Sequence, residues 1–193
     1  HLTSQVSWSF PTPSAPDTTA LAIKTSAGYF HTCALLSDQT IKCWGSNSNG
    51  QIGDGTTTNR STPVAVSGIN NAIDLQAGGL HTCALLTDHT VKCWGSNSNG
   101  QIGDGTTNSI AGQGGGNDRL TPTPVNGILN ATALAAGENH TCALLDNKKI
   151  KCWGGNGFGE LGNGTNAESA TPVEALGIST ATEIAAGDRH TCA

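Results

Sequence analysis

His81-Thr82-Cys83-Ala84-Leu85-Leu86-Thr87-Asp88-His89-Thr90-Val91-Lys92-Cys93-Trp94-Gly95 reads as two short apolar runs, each holding one cysteine, on either side of a polar turn. Apolar runs bracketing Asp and other turn formers are the mark of a β-hairpin. A three-residue turn, Thr87 to His89, sets Leu86 opposite Thr90, Leu85 opposite Val91 and Cys83 opposite Cys93. Directly opposed residues in a non-hydrogen-bonded pair have Cα atoms about 4.5 Å apart, within reach of a disulfide. The same register pairs Cys33 with Cys43 around Ser37-Asp38-Gln39, and Cys142 with Cys152 around Asp146-Asn147-Lys148. Closing a loop of this size is worth roughly 2.5–3 kcal/mol. Persistent disulfides imply an oxidising compartment, so the chain is expected outside the cell or at its surface.

The hairpin is one part of a longer repeat. His-Thr-Cys recurs at His31, His81, His140 and His190, each time behind a glycine, and Lys-Cys-Trp-Gly recurs at Lys42, Lys92 and Lys151. The interval is fifty residues, then fifty-nine, then fifty. A period near fifty marks stacked units that cannot bury an apolar face alone. The units run over about 21–70, 71–130 and 131–180, with a partial fourth at 181–193. Cys192 is the seventh cysteine and stands where the first member of a fourth pair belongs.

Within the second unit, Ala72 to Gln76 alternates as a strand, Ala77-Gly78-Gly79 turns, and the hairpin supplies two more strands. Ser96 to Thr106 follows, dense in Asn, Asp and Gly for tight turns. A Thr-Pro-Val segment, at Thr62 to Val64, Thr123 to Val125 and Thr171 to Val173, is expected to open a fourth, outer strand where proline is tolerated. Four short antiparallel strands per unit make a β-propeller blade, so the fold expected is all-β, with three complete blades and a truncated fourth. The long interval comes from a glycine-rich insertion, Asn108 to Asp118, a surface loop or a recognition loop. Residues 1–20 lack the motif; with Trp8, Phe10 and several prolines they read as a Pro/Ser/Thr linker or a degenerate blade strand.

Composition agrees with β structure. Aromatics are 4%, charged residues 12%, Gly numbers 26 and Met is absent, where a helical chain would carry Leu, Glu and Lys. The net charge of −5, with nine scattered Lys and Arg, argues against a nucleic-acid partner. No run is apolar enough for a transmembrane segment and none resembles a signal peptide. The chain starts at His1 without an initiator Met, as a processed form or a piece of something longer would.

The string Ala-Gly-x-x-His-Thr-Cys-Ala-Leu-Leu, then Lys-Cys-Trp-Gly-Ser-Asn-Ser-Asn-Gly-Gln-Ile-Gly-Asp-Gly-Thr, then Thr-Pro-Val, strongly resembles the regulator-of-chromosome-condensation repeat, over nearly everything from Ile23 to Ala193. The third unit keeps most of it as Trp153-Gly154-Gly155-Asn156 and Gly159 to Gly164. The resemblance implies a β-propeller, usually of seven blades, that serves as a protein-binding platform. The cysteine pair in each blade and the missing basic tail make this chain similar to a secreted microbial branch. A guanine-nucleotide exchange or chromatin role fits poorly with those departures.

Catalytic signatures are missing. There is no G-x-S-x-G, P-loop or H-E-x-x-H, and Asn163 stands in the third unit where Asp54 and Asp104 stand in the others, so no enzyme is expected. His31, Cys33 and Cys43 could offer three metal ligands, but no C-x-x-C or H-x-x-x-H spacing accompanies them. Neither metal nor cofactor is expected, and the histidines should satisfy neighbouring backbone groups at a strand start. Candidate interaction residues are Asn47, Asn49, Gln51, Asn97, Asn99 and Gln101 in the turns, with Gln113 and Asn117 in the insertion. They could hydrogen-bond a glycan or a soluble enzyme, although turn formation alone explains such residues. Asn59, Asn130, Asn139 and Asn163 head Asn-x-Ser/Thr glycosylation sequons. The expectation is a disulfide-stapled scaffold that binds proteins or copies of itself, the alternative a secreted glycan-binding or enzyme-inhibiting propeller.

Overall fold

A computed structural model describes residues 20–107 and 117–193. The N-terminal residues 1–19 and Gln113 of the insertion lie outside the described residues. The first sheet joins β1 (Ala22–Ala27), β2 (His31–Leu36), β3 (Ile41–Gly45) and β4 (Arg60–Ala65) in that order. The second repeats it with β5 (Ala72–Ala77), β6 (His81–Leu86), β7 (Val91–Gly95) and β8 (Arg119–Pro124). The third comprises β9 (Ala131–Ala136), β10 (His140–Leu145), β11 (Ile150–Gly154) and β12 (Ser169–Glu174), and a fourth pairs β13 (Ala185–Ala186) with β14 (Thr191–Cys192). Every pairing is antiparallel. Among the described residues no helix is long and apolar enough to cross a membrane.

The hairpins hold the register that the cysteines demand. Cys33 pairs with Cys43, Cys83 with Cys93 and Cys142 with Cys152, each bridged with Cα atoms 4.1 Å apart. Gln39, His89 and Lys148 end the turns at φ of 65°, 63° and 66°, the left-handed third residue of a three-residue hairpin loop. Asp38 supports its turn by accepting hydrogen bonds from the Thr40 N–H and hydroxyl, at 3.1 and 2.7 Å.

The outer strands correct one expectation. Thr-Pro-Val does not open them: β4 starts at Arg60, and its Pro63 lies inside a bulge. Gly45 pairs with Arg60 and Cys43 with Val64, so four steps along β4 answer two along β3. Proline has no N–H to give the ladder, and a bulge does not ask for one. In the second sheet Thr123 pairs with Cys93, which makes Pro122 the bulge proline and leaves Val125 past the strand.

The first strands of successive sheets touch, β1 with β5, β5 with β9 and β9 with β13, and so lie nearest a common axis. A Cβ on Gly78 would sit 2.5 Å from the Gly137 carbonyl oxygen, so only glycine permits that approach. The sheets radiate outward as propeller blades, and the core lies between them. Cys33, Leu35 and Ile41 of the first blade meet Leu75, Ala84, Leu86 and Trp94 of the second. Cys83, Leu85 and Val91 meet Leu134, Ala143, Leu145 and Trp153 in the same way. Because both faces of a middle blade are covered, His81 to Leu86 is buried throughout, and its sequence is a continuous run where a one-sided strand would alternate.

Candidate functional site: the seams between blades and their loop rims

The first two seams are each closed by a relay of four residues from two blades, and the third by three of the same kind. His31 Nε2 lies 2.8 Å from the Thr82 hydroxyl, which donates to the Gln51 carbonyl at 3.0 Å. With its single hydrogen given to Gln51, Thr82 receives the imidazole N–H, which fixes the Nε2–H tautomer of His31. The Gln51 carbonyl takes a second donor, the Trp94 indole N–H, at 3.0 Å. The next seam repeats the set: His81 to Thr141 at 2.8 Å, Thr141 to the Gln101 carbonyl at 3.3 Å and Trp153 to the same carbonyl at 2.9 Å. In the third seam His140 meets Thr191 at 3.0 Å and Thr191 donates to the Glu160 carbonyl at 3.0 Å. The histidines therefore bond the next blade's threonine, not backbone at their own strand start. Each Nε2 is turned across its seam, where the threonine hydroxyl lies 2.8, 2.8 and 3.0 Å away.

Burial holds these imidazoles neutral. Desolvation lowers His31 from 6.5 to about 4. His81 falls to about 3, through burial first and then the nearby His140 and His31, and His140 is lowered by burial as well. A base this weak, sealed in a seam, is poorly placed for proton transfer at neutral pH.

Most of the candidate interaction residues are spent on the turns. Asn47 is fully buried; its amide donates to the Thr56 and Thr58 carbonyls at 2.9 and 3.1 Å, and its oxygen accepts the Ile52 N–H at 3.0 Å. Asn97 is also fully buried and repeats this with Thr106 and Ile102. Buried Gln51 and Gln101 accept the Asn49 and Asn99 N–H at 2.9 and 2.8 Å. These four are buried, and the turns take most of their hydrogen-bonding groups, the Gln101 amide nitrogen being left without a partner among the described residues. Half-buried Asn49 and Asn99 cross the seam, donating to Asp118 at 2.9 Å and Glu168 at 3.3 Å, while Asn117 donates to the Thr107 carbonyl at 3.0 Å.

The Gly-Asp-Gly turns carry an ion pair. Asp54 accepts from Arg60 Nε at 2.6 Å and from the Thr56 hydroxyl at 2.8 Å. Burial pushes this carboxyl up, but the bonds from Thr56 and Arg60 outweigh it and hold it below its ordinary value. Asp104 and Arg119 form the same pair, at 2.7 Å. The third turn replaces both partners together, with Asn163 and Ser169.

One cleft of about 370 Å³ opens on the loop rim of the third seam, between Asn99 of the second blade, Phe158 and Glu160 of the third, and Asp188 and Arg189 of the fourth. Phe158 is 69% exposed there. Nearer the axis, the Tyr29 hydroxyl faces Asp188 and is raised above its ordinary value by desolvation first, then by Glu138 and Asp188.

Comparison with known proteins matches this geometry. The profile of the regulator of chromosome condensation (RCC1) repeat matches residues 43–85, 88–144 and 152–193, and a second profile of that repeat matches 22–51, 72–101 and 131–160. This chain belongs to the RCC1 repeat family. The Ultraviolet-B receptor UVR8 of Arabidopsis thaliana is 29% identical over 141 residues, 72% of this chain and 31% of the receptor. Among solved structures, Prp20p from Saccharomyces cerevisiae has a TM-score of 0.76 at 20% identity, over 95% of this chain and 44% of Prp20p. Human WBSCR16 has a TM-score of 0.68 at 22% identity, over 82% of this chain and 38% of that one. The chain thus spans about a third of the receptor's length and under half of either solved propeller.

In this RCC1-repeat chain the sequon asparagines are differently placed. Asn59 is exposed, with its oxygen accepting the Asn47 N–H at 2.8 Å. The Asn130 amide donates to Asp146 at 2.5 Å, half-buried Asn139 lines the cleft, and Asn163 accepts from the Thr165 N–H and hydroxyl. Sequence reasoning missed Phe158 and Glu160. Their signal was present: at both positions the third loop departs from two sister loops that agree with each other.

Proposed function

We propose that this protein is an exported, disulfide-stapled RCC1-repeat propeller that binds protein partners through its loop rims and performs no catalysis of its own. One observation carries this reading: the recurring side chains His31, His81, His140, Thr82, Thr141, Trp94, Trp153, Asn47, Asn97 and Asn156 are taken up by the seams and turns, while residues that differ between blades, such as Phe158 and Glu160, lie on a loop rim. A scaffold that spends its constant residues on itself and varies its rims is built for recognition. Prp20p is a protein studied for its binding to Gsp1p and histones, and yeast RCC1 forms a complex with Kap60. A protein partner of another kind is the corresponding role here. Three buried disulfides support export, since such bonds persist in oxidising compartments. Four of the turn residues that a glycan-binding reading relied on, Asn47, Gln51, Asn97 and Gln101, are buried, which makes that reading the weaker one.

The test is cross-linking of native material followed by peptide mapping, with cell fractionation alongside. Cross-links from loop-rim residues to one recurrent protein in the extracellular fraction are expected. Cross-links confined to the outer strands, or native protein found in the cytosol with reduced cysteines, would overturn the reading.

A further inference from the structure

Asparagine followed by glycine occurs five times, at Asn49, Asn99, Asn126, Asn156 and Asn163, so one dipeptide can be compared in five settings of a single fold. A glycine amide nitrogen, with no side chain to shield it, can attack the side-chain carbonyl carbon of the asparagine before it, provided that the peptide between them is free to turn. Four of the five steps are held. The Gly50 and Gly100 N–H groups donate to the Asn47 and Asn97 carbonyls at 3.0 and 3.3 Å, and added Cβ atoms there would come within 2.8 and 2.6 Å of the Leu120 and Ala170 Cα of the next blade. Buried Asn156 has its oxygen on the Leu161 N–H and its amide on the Thr165 and Ala167 carbonyls, each at 2.9 Å. The Asn163 oxygen is fixed by the Thr165 N–H at 3.2 Å and the Thr165 hydroxyl at 3.0 Å.

Asn126 is the exception. It follows β8 in a turn whose flanks, Val125 and Ile128, are buried in the complete seam between the second and third blades. The tip itself is exposed, with Gly127 at a φ of 69° and no atom beyond its chain neighbours within 4 Å of where its Cβ would stand. Among the described residues no hydrogen bond reaches the Asn126 side chain or the Gly127 N–H, while the Asn126 N–H donates to the Gly103 carbonyl at 2.9 Å. The sister turns, Ser67-Gly68 and Leu176-Gly177, have no asparagine there, so the turn does not need one.

We propose that Asn126-Gly127 is the site at which this chain converts spontaneously to isoaspartate, and that the conversion loosens the seam beside it. The Gly127 nitrogen gives its proton to water or hydroxide and bonds to the Asn126 Cγ as the bond from Cγ to Nδ2 breaks; the departing nitrogen takes up a proton and leaves as ammonia. Water then opens the cyclic imide at either carbonyl. One opening leaves aspartate, and the other leaves isoaspartate, whose main chain runs through the side-chain carbons and is longer by one carbon. Both products add a negative charge at an exposed turn. Only isoaspartate lengthens the chain between Val125 and Ile128, whose side chains reach the close-packed core that also holds Ala131, Leu134 and Trp153.

The experiment holds the oxidised protein in warm, mildly alkaline buffer and follows each Asn-Gly peptide by mass spectrometry, with a fragmentation that separates isoaspartate from aspartate. Asn126 is expected to convert first, the other four lagging by roughly fivefold or more, the factor for each hydrogen bond that must break beforehand. In strong urea the five are expected to convert at similar rates, because the lag belongs to the fold. Aged wild type is expected to unfold at a lower urea concentration than fresh protein. Asn126→Ser, which copies Ser67 of the first blade, should keep its midpoint through the same incubation. Conversion led by another Asn-Gly step, or the same order of rates in urea as in the folded chain, overturns the assignment. An aged wild type as stable as fresh protein, once Asn126 has turned over, overturns the link to the seam.

Discussion

Trp94 donates its indole N–H to the Gln51 carbonyl at 3.0 Å, across the seam between the first two blades. Its ring also covers Gly53, where an added Cβ would come within 2.7 Å of Nε1. Trp44 occupies the same place in the first blade but is only half-buried, and among the described residues no loop carbonyl accepts its indole N–H. The two tryptophans, identical in local sequence, should therefore differ in energetic weight. Trp94→Ala is expected to cost about 3–5 kcal/mol, and Trp94→Phe about 1–2 kcal/mol for the lost N–H bond. Trp44→Ala should cost less than half as much as Trp94→Ala. Urea denaturation of the three variants checks this, and equal losses at the two positions would refute a seam role for Trp94.

That asymmetry shows what a single sequence can reveal. The hairpin register was legible because β periodicity is two and a three-residue turn leaves one pairing for each cysteine. The seams were not legible, since His31 meets Thr82 fifty-one residues away and Trp94 meets Gln51 forty-three residues back. Nothing local distinguishes an asparagine that clamps its own turn from one offered to a ligand, and Asn47 and Asn97 proved to be clamps. The misplaced Thr-Pro-Val had a simple origin: Thr123-Pro124-Val125 copies the motif two residues after the true bulge proline, Pro122.

The seam histidines predict an acid-side loss of stability well before the carboxylates titrate. His31 and His81 are held neutral in the folded chain, at about 4 and about 3, against 6.5 when exposed. Their contribution is complete above pH 6.5 and shrinks as pH falls, because the unfolded chain takes up protons that the folded one refuses. Each adds a slope of about 1.4 kcal/mol per pH unit down toward its folded value. Urea midpoints at pH 7, 5.5 and 4.5 should fall steadily. A His81→Gln variant should be weaker at pH 7 and show a flatter decline, and a wild-type profile that stays level to pH 4.5 would contradict buried neutral imidazoles.

The Asp104–Arg119 pair predicts a rescue. Asp104→Asn leaves the Arg119 guanidinium, only about a quarter exposed, without its carboxylate. The chain already contains the compensated form, since the third turn has Asn163 with Ser169. Asp104→Asn should cost about 1–2 kcal/mol, and adding Arg119→Ser should recover most of that loss. Additive losses in the double-mutant cycle would show that the pair is not coupled.

The disulfides predict a thiol count that depends on folding and reductant separately. All six bridged cysteines are buried to 1% exposure or less, whereas Cys192 is exposed and free. A thiol reagent should therefore label one cysteine in the native chain, still one after denaturation without reductant, and all seven after denaturation with it. Because each bridge lies inside a seam, its reduction requires the blades to part. Reductant added to the native protein should release these thiols at the rate of blade opening, independent of reductant concentration once that is high. Six thiols released quickly, at a rate proportional to reductant, would mean that the bridges lie outside the seams.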